Sequence, residues 1–237
     1  MTPPREGFSK LSSEKVRNNL SRVEGRIAAA CARAGRSPGE VRVLAATKYV
    51  APEQMAVLLE AGIRLVGENR AEDLEEKWRT YGEAFEWHFI GHLQRRKAKR
   101  VVEKVRLIHS LETIALLEEL DKRSEGAGVE ALVEVNVSGE QSKYGMLPAD
   151  VEAFLEQASG YDQVRISGLM TMAPLVQDPE QARPVFRVLR ELRDRLAPAF
   201  ASRYSLTELS MGMSNDYEVA VEEGATIVRV GSALFAD

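Results

Sequence analysis

Eight short apolar segments rich in β-forming residues recur along this 237-residue chain, and a segment with helical patterning follows each of the first seven. A strand of a parallel sheet is buried on both faces and therefore has such an apolar pattern. The predicted strands are 41–48, 64–68, 86–91, 107–111, 131–137, 166–171, 208–211 and 226–230. This alternation predicts an α/β fold, a (β/α)₈ TIM barrel, with an open doubly wound sheet as the alternative.

An additional helix is predicted before the first strand. Its apolar residues recur at steps of three and four, which places them on one face. They are Val16, Leu20, Val23, Ile27, Ala30 and Ala34. Ser12 or Ser13 can cap its start, and Gly35 followed by Pro38 ends it. Residues 1–10 are predicted to be a flexible tail, and no linker divides the chain, so 1–237 is interpreted as a single domain.

Composition excludes several classes of protein. The net charge is −4 and the sequence pI is about 5.6, so the broad basic field of a nucleic-acid-binding protein is absent. No apolar stretch reaches membrane-spanning length, and the first thirty residues contain no apolar signal core. The single cysteine, Cys31, permits no intrachain disulfide. A cytoplasmic protein with no membrane partner is expected.

Polar residues and glycines cluster at the predicted ends of the strands. In a (β/α)₈ barrel the chemistry lies at this end, in the loops that follow the strands. The residues concerned include Lys48, Glu68, Asn69, Arg70, His92, Asn136, Thr171, Gly212, Ser214, Asn215, Arg229, Gly231 and Ser232. Such clustering predicts a single functional site at one mouth of the barrel.

Lys48 follows the apolar run 41–47. An ammonium surrounded by Val, Leu and Ala is costly to desolvate, so burial favours the neutral amine. A neutral lysine amine is a nucleophile toward carbonyl groups. The alternative is a lysine that extends into solvent at the end of its strand.

The loops after the seventh and eighth strands are where barrels often bind phosphate. Ser214 is a candidate N-cap of the helix after strand seven, where free N–H groups favour an anion. Gly231 and Ser232 offer an accessible backbone and a second hydroxyl after strand eight. Ordinary capping and turn formation is the alternative. Arg229 is a charge within an apolar strand and is interpreted either as a ligand contact near the phosphate or as the partner of a barrel glutamate.

The remaining candidates carry weaker signals. The three histidines have no metal-ligand spacing, so no metal site is predicted. The basic run Arg95, Arg96, Lys97, Lys99 and Arg100 is interpreted as a solvated helix face, with an anion-binding or nucleic-acid patch as the less favoured alternative. Lys143, in a polar loop after strand five, either contacts a ligand or is an ordinary exposed lysine.

Eight short motifs are distributed along the chain: LAATK at 44–48, GENR at 67–70, WHFIGHLQ at 87–94, VNV at 135–137, KYG at 143–145, GLMTM at 168–172, LSMGMS at 209–214 and VRVGS at 228–232. In these motifs the chain resembles the YggS/PROSC family of pyridoxal phosphate (PLP) homeostasis proteins. The motifs occur in the family's order and cover nearly the whole chain. The resemblance implies a barrel similar to the N-terminal domain of alanine racemase.

The resemblance also implies how the cofactor, pyridoxal 5′-phosphate, is held. Lys48 would form a Schiff base with it, and Ser214 with the backbone at Gly231 and Ser232 would hold the phosphate. Arg229 would face the pyridine nitrogen. Asn69 and Met211 would line the ring.

The implied function is PLP and amino-acid homeostasis without a defined enzymatic reaction, so no catalytic residue is assigned. Arg229 opposite the pyridine nitrogen would keep that nitrogen unprotonated and the ring a weak electron sink. No second domain that could supply an opposing acid or base is expected after strand eight. Apo PLP-dependent enzymes are the expected partners, and a monomer is expected. The alternative is a PLP-dependent amino-acid racemase.

Overall fold

The computed structural model describes residues 11–124, 126, 128–140 and 143–236, so the predicted tail at 1–10 lies outside the described residues. The strands are β1 (Arg42–Ala46), β2 (Leu65–Glu68), β3 (Glu86–Phe89), β4 (Leu107–Leu111), β5 (Val129–Glu134), β6 (Val164–Met170), β7 (Glu208–Met213) and β8 (Ile227–Val230). The helices are α1 (Ser13–Arg33), α2 (Met55–Glu60), α3 (Ala71–Tyr81), α4 (Ala98–Val101), α5 (Ile114–Arg123), α6 (Val151–Ala158), α7 (Arg183–Ala199), α8 (Tyr217–Glu222) and α9 (Ser232–Phe235).

The eight strands pair in parallel and close into one barrel, in the order β1 to β8 with β8 returning to β1. This confirms the predicted (β/α)₈ barrel, and the alternative of an open sheet is wrong because β1 pairs with both β2 and β8. Seven of the eight predicted strands differ from the observed ones at one or both ends, and only β4 has the predicted bounds. β1 stops at Ala46 rather than 48, and β5 covers Val129–Glu134 rather than 131–137.

The additional N-terminal helix is confirmed as α1. The Ser12 hydroxyl caps it by accepting from the Lys15 amide at 3.3 Å. The predicted apolar face is correct except at Ala34, which is exposed at the C-cap. α1 packs against α2, α8 and α9, and Asn19 Nδ2 donates to the Leu234 carbonyl at 3.0 Å. The short helix α9 was not predicted.

Apolar side chains form two layers. A small cluster of Leu44, Leu107, Leu132, Met170 and Ile227 lies inside the barrel, and a much larger core fills the space between sheet and helices. Adjacent residues of one strand belong to different layers because successive side chains point to opposite faces. Within the described residues, no helix combines the length and apolar character needed to cross a bilayer.

One fully buried ion pair connects β1, β2 and α3. Lys77 Nζ on α3 donates to Glu68 Oε1 at 2.5 Å and to the Thr47 carbonyl at 2.8 Å. The Thr47 hydroxyl donates to the same Glu68 oxygen at 2.6 Å. Both charged side chains are at most 1% exposed. Since Thr47 directly precedes Lys48, this pair fixes the start of the turn that carries the candidate lysine.

We expect Lys77→Met to lower the free energy of unfolding by about 3 kcal/mol, because it leaves the Glu68 carboxylate buried without its cation. Chemical denaturation with the linear extrapolation measures the loss. Arg123→Met is the control, since it breaks a partly exposed pair with Glu119 on α5, and its loss should be much smaller. Equal losses in the two variants would show that the buried pair does not hold this region together.

Candidate functional site

A cavity of about 470 Å³ lies at the mouth of the barrel, where β1, β7 and β8 end. Its lining includes Ala46, Lys48, Tyr49, Leu175, Val176, Met213, Ser214, Asp216, Arg229, Gly231 and Ser232. Five of the seven predicted cofactor-binding residues therefore line one cavity. A cavity of about 570 Å³ lies between α1 and the opposite end of β1, β2 and β3, and its described lining contains no lysine.

Lys48 is exposed, so the prediction of a buried ammonium is wrong. β1 ends two residues before it, and the chain turns at Lys48 and Tyr49. The turn directs the lysine out of the apolar strand and onto the cavity wall, where Nζ lies 4.9 Å from the centre of the Tyr49 ring. The amine is therefore accessible to a ligand at the mouth.

The loop after β7 is tied to the loop after β8 through Ser214. Its Oγ accepts from the amides of Gly231 and Ala233, at 3.2 and 3.3 Å. The prediction that Ser214 caps the next helix is wrong, because α8 begins at Tyr217 and its N-cap is Asp216. The serine hydroxyl instead holds together the two loops that were predicted to bind phosphate.

Gly212 permits this loop to approach α8. Its φ of +91° is a left-handed conformation that side chains rarely adopt. A Cβ at this position would lie 2.5 Å from the Ala220 Cβ and 2.9 Å from the Tyr217 Cα. Glycine is therefore required both by the backbone conformation and by the close packing behind the cavity.

Arg229 is buried on β8 and points into the barrel. Nη1 donates to Ser210 Oγ at 2.5 Å and Nη2 donates to the Thr171 carbonyl at 2.9 Å. Burial lowers the pKa of the guanidinium to about 10, although Glu134 and Asp216 attract its charge. In the part of the chain that the structure describes, no carboxylate lies within ion-pairing distance of it, so the alternative of a salt bridge to a barrel glutamate is not observed.

Glu134, at the end of β5, was not predicted as a site residue. It is 3% exposed, and Oε2 has no hydrogen-bond partner among the described residues. Burial raises its pKa to about 7, with a further contribution from Glu112 and an opposing one from Arg229. A charged residue at the end of an apolar strand was the available signal, as it was for Lys48 and Arg229. Near neutral pH this carboxyl can both donate and accept a hydrogen bond at the mouth.

Asn69 and Met211 do not line the cavity. Asn69 follows β2 and its Oδ1 is buried with no hydrogen-bond partner among the described residues. Met211 packs in the core between sheet and helices, whereas Met213 faces the cavity. The register of β7 against β8 shifts between Ser210 and Met213. This shift falls in the segment that contains both methionines.

The histidines do not form a metal centre. His88 and His109 form a hydrogen bond with each other inside the barrel, in which His88 Nδ1 and His109 Nε2 are 3.0 Å apart. His92 lies at the mouth, stacked on Tyr144 and 2.9 Å from Glu112. Across the described ranges, no group of three or more His, Cys, Asp or Glu side chains is arranged to hold a metal ion.

The basic run is partly neutralised by acidic side chains of neighbouring helices. Lys97 and Arg100 pair with Glu72 of α3 at 3.0 and 2.8 Å. Arg100 also pairs with Glu75, and Arg95 lies 3.6 Å from Glu119 of α5. These pairs favour the predicted solvated face over an anion-binding patch.

Lys143 lies in the loop after β5. Its Nζ is 3.5 Å from the Met172 carbonyl and 3.6 Å from Glu140. Residues 141–142 of this loop lie outside the described residues. The lysine is partly buried and held at the edge of the mouth by these two contacts.

Comparison with known proteins finds a matching family model and relatives named pyridoxal phosphate homeostasis protein. Residues 18–237 match the family described as alanine racemase, N-terminal domain. The pyridoxal phosphate homeostasis protein of Aquifex aeolicus is 44% identical over 221 residues, covering 92% of this chain and 96% of the relative. That of Escherichia coli K12 is 35% identical over 231 residues, covering 93% and 95%.

Two solved structures are similar to this chain in both fold and sequence. PipY of Synechococcus elongatus PCC7942, determined with PLP bound, superposes with a TM-score of 0.81 at 33% identity, covering 93% of this chain and all of PipY. A protein of unknown function from Bifidobacterium adolescentis superposes with a TM-score of 0.85 at 36% identity, covering 94% of this chain and 95% of that one. The closed barrel, the extent of the family match and these identities together show that the chain belongs to the YggS/PROSC family of pyridoxal phosphate homeostasis proteins.

Proposed function

We propose that this protein binds pyridoxal 5′-phosphate at the mouth of its barrel and acts in vitamin B6 and amino-acid homeostasis. The observation that carries the proposal is one cavity lined by an accessible amine, a buried guanidinium and two serine-containing loops, at Lys48, Arg229, Ser214 and Gly231–Ser232. The relatives named above and the PLP complex of PipY support the same assignment.

The donor set of the cavity fits the three recognisable parts of PLP. The cofactor carries an aldehyde, a phosphate dianion and a pyridine nitrogen. Lys48 supplies a primary amine for the aldehyde, the loops after β7 and β8 supply hydroxyl and amide groups for the phosphate, and Arg229 supplies an N–H donor for the nitrogen. Two cations facing one cavity also favour an anionic ligand.

Lys48 is the residue that we assign to covalent binding. Its amine would bond to the aldehyde carbon as a Schiff base, and the carbonyl oxygen would leave as water. The exposed turn allows a dissolved aldehyde to reach Nζ without local unfolding. Accessibility at the mouth, rather than burial in the strand, makes this lysine suitable.

We assign the phosphate to Ser214, Gly231 and Ser232. The bonds from the Gly231 and Ala233 amides to Ser214 Oγ hold the two loops in register. The Ser214 hydroxyl proton, which these bonds leave available, and the hydroxyl and amide of Ser232 can then donate to one anion. The positive charges of Lys48 and Arg229, on the same cavity, add electrostatic attraction.

Arg229 is assigned to the pyridine nitrogen. A fixed positive charge there disfavours protonation of the nitrogen, because two cations would repel. Bound PLP supplies an electron sink, and an unprotonated ring is a weaker one than a pyridinium. We therefore propose binding rather than carbanion catalysis as the function. The predicted roles of Asn69 and Met211 beside the ring stay predictions, and Met213 is the methionine that faces the cavity.

We further propose that the protein is a cytoplasmic monomer that supplies PLP to apo PLP-dependent enzymes. The exposed position of Lys48 supports release, because water and a competing amine can both reach the bond. Sedimentation of the purified protein tests the monomer, and cell fractionation tests the compartment.

Lys48→Ala should abolish covalent PLP binding. We expect the wild-type protein incubated with PLP and reduced with borohydride to carry a pyridoxyl group on the peptide containing Lys48, detected by mass spectrometry. The variant should lose the visible absorption band of the bound cofactor. Lys104→Ala is the matched control, since Lys104 lies beside Trp78, away from the cavity, and should leave labelling unchanged. Labelling of another lysine at equal yield in the wild type would remove Lys48 from the proposal.

Ser214→Ala should weaken binding of PLP roughly tenfold, the effect of losing one hydrogen bond to a charged group. Pyridoxal, which lacks the phosphate, is the control ligand, and its affinity should not change. Equilibrium dialysis of both ligands measures the difference. A variant that binds both ligands less tightly by the same factor would place the effect of Ser214 outside the phosphate site.

Transfer to an apo aminotransferase tests delivery. The loaded protein is mixed with the apoenzyme in the presence of a phosphatase that destroys free PLP. If the protein hands its cofactor over directly, activity should appear faster than the loaded protein releases PLP alone. Recovery limited to the rate of spontaneous release would leave storage as the function and exclude direct delivery.

A further inference from the structure

A continuous chain of hydrogen bonds crosses the interior of the barrel and ends at Arg229. Its members are Glu86 and His88 of β3, His109 of β4, Ser210 of β7 and Arg229 of β8. The successive contacts are Glu86 Oε1 to His88 Nε2 at 3.0 Å, His88 Nδ1 to His109 Nε2 at 3.0 Å, His109 Nδ1 to Ser210 Oγ at 2.8 Å, and Arg229 Nη1 to Ser210 Oγ at 2.5 Å. Both histidines and the serine are fully buried.

Arg229 and Glu86, at the two ends of this chain of hydrogen bonds, determine which atom donates the proton at each contact. A guanidinium can only donate, so Ser210 Oγ accepts from Arg229 and its own proton is available to His109 Nδ1. His109 then donates from Nε2 to His88 Nδ1, and His88 donates from Nε2 to the Glu86 carboxylate. In this arrangement each hydrogen bond has one donor and one acceptor, and both imidazoles are neutral and protonated on Nε2.

The reverse order does not satisfy these contacts. It would place an unprotonated His88 Nε2 against the Glu86 carboxylate, two acceptors facing each other. Burial lowers the pKa of both His88 and His109, which removes the alternative of an imidazolium. The hydrogen bond from His88 lowers the pKa of Glu86, so this carboxyl is the ionised end of the chain.

Glu86, the end of the hydrogen-bond chain that is remote from Arg229, is partly exposed at the end of the barrel opposite the mouth. Glu86 lies 3.7 Å from Arg42, which also contacts Glu208 at 2.9 Å. Glu86 is therefore already partnered by a local cation. Arg229, at the mouth, is held by a serine hydroxyl and a backbone carbonyl, both neutral acceptors. The chain thus orients the guanidinium without placing a carboxylate in contact with it.

We propose that Ser210, His109, His88 and Glu86 are positioning residues that fix Arg229 toward the cofactor ring while leaving its positive charge unneutralised. A direct carboxylate partner would orient the guanidinium equally well but would cancel most of its charge at the ring. The neutral groups of Ser210, His109 and His88 orient the guanidinium without cancelling its charge. This inference rests on the proposed function, since it concerns the contact between Arg229 and PLP.

The proton order is tested on the cofactor-free protein. Long-range ¹⁵N–¹H correlation spectra of protein labelled at its three histidines report which ring nitrogen carries the proton. At neutral pH we expect His88 and His109 to be neutral and protonated on Nε2. A δ-protonated or charged imidazole at either position would overturn the chain as described. This measurement does not depend on PLP.

The positioning role is tested with Ser210→Ala and Ser210→Cys. Cysteine keeps the volume of the buried side chain but bonds weakly, so both variants should lose affinity for PLP by about tenfold. Ser110→Ala is the matched control, because Ser110 is an equally buried serine on β4 whose Oγ has no partner among the described residues. It should bind PLP as the wild type does.

An analogue with C–H in place of the pyridine nitrogen separates positioning from packing. It cannot accept a hydrogen bond from Arg229, so Ser210→Ala should bind it as tightly as the wild type does. The proposal would be overturned if Ser210→Ala lost equal affinity for PLP and for the analogue. It would also be overturned if Ser210→Cys bound PLP as tightly as the wild type does, or if Ser210→Ala and Ser110→Ala had the same affinity for PLP. Absence of PLP binding in the wild-type protein would instead refute the proposed function, and the histidine spectra would still decide the proton order.

Discussion

The buried Glu68–Lys77 pair determines where the mouth of this barrel can present its lysine. Both side chains are withdrawn from water, and the pair also holds the hydroxyl and the carbonyl of Thr47. Removing either partner of such a pair would leave an uncompensated buried charge, so the two side chains are held together. The consequence is a rigid junction of β1, β2 and α3, from which the next residue, Lys48, emerges into the cavity.

Charge at the mouth is distributed between an exposed and a buried cation. Lys48 is accessible and suited to a bond that must form and break. Arg229 is buried, fixed by Ser210 and Thr171, and suited to a permanent contact. Glu134, with a pKa raised to about 7, lies close enough to Arg229 to influence its charge without pairing with it. The cavity therefore retains net attraction for an anion near neutral pH.

The sequence predicted the architecture well because each strand and helix carries its own pattern. All eight strands and the cap at Ser12 follow from local apolar periodicity and turn residues. The errors in the predicted positions arise where the structure depends on contacts between segments that are distant in the sequence. Lys48 was placed in a strand that ends two residues before it, and the register shift in β7 leaves no mark in the sequence. Likewise, the bond from Ser214 to the β8 loop joins residues 17 positions apart.

The polar chain explains why the interior of this barrel departs from a purely apolar packing. The apolar cluster inside it contains only five fully buried residues among those described, and His88, His109 and Ser210 occupy the space beside them. Burying these groups is costly unless each donor finds an acceptor. The cost is offset because the two charged ends impose one proton order on the whole chain. A barrel filled with leucines would be simpler to stabilise, but it would leave the Arg229 guanidinium free to turn toward Glu134, and the cation would then no longer be available to a ligand.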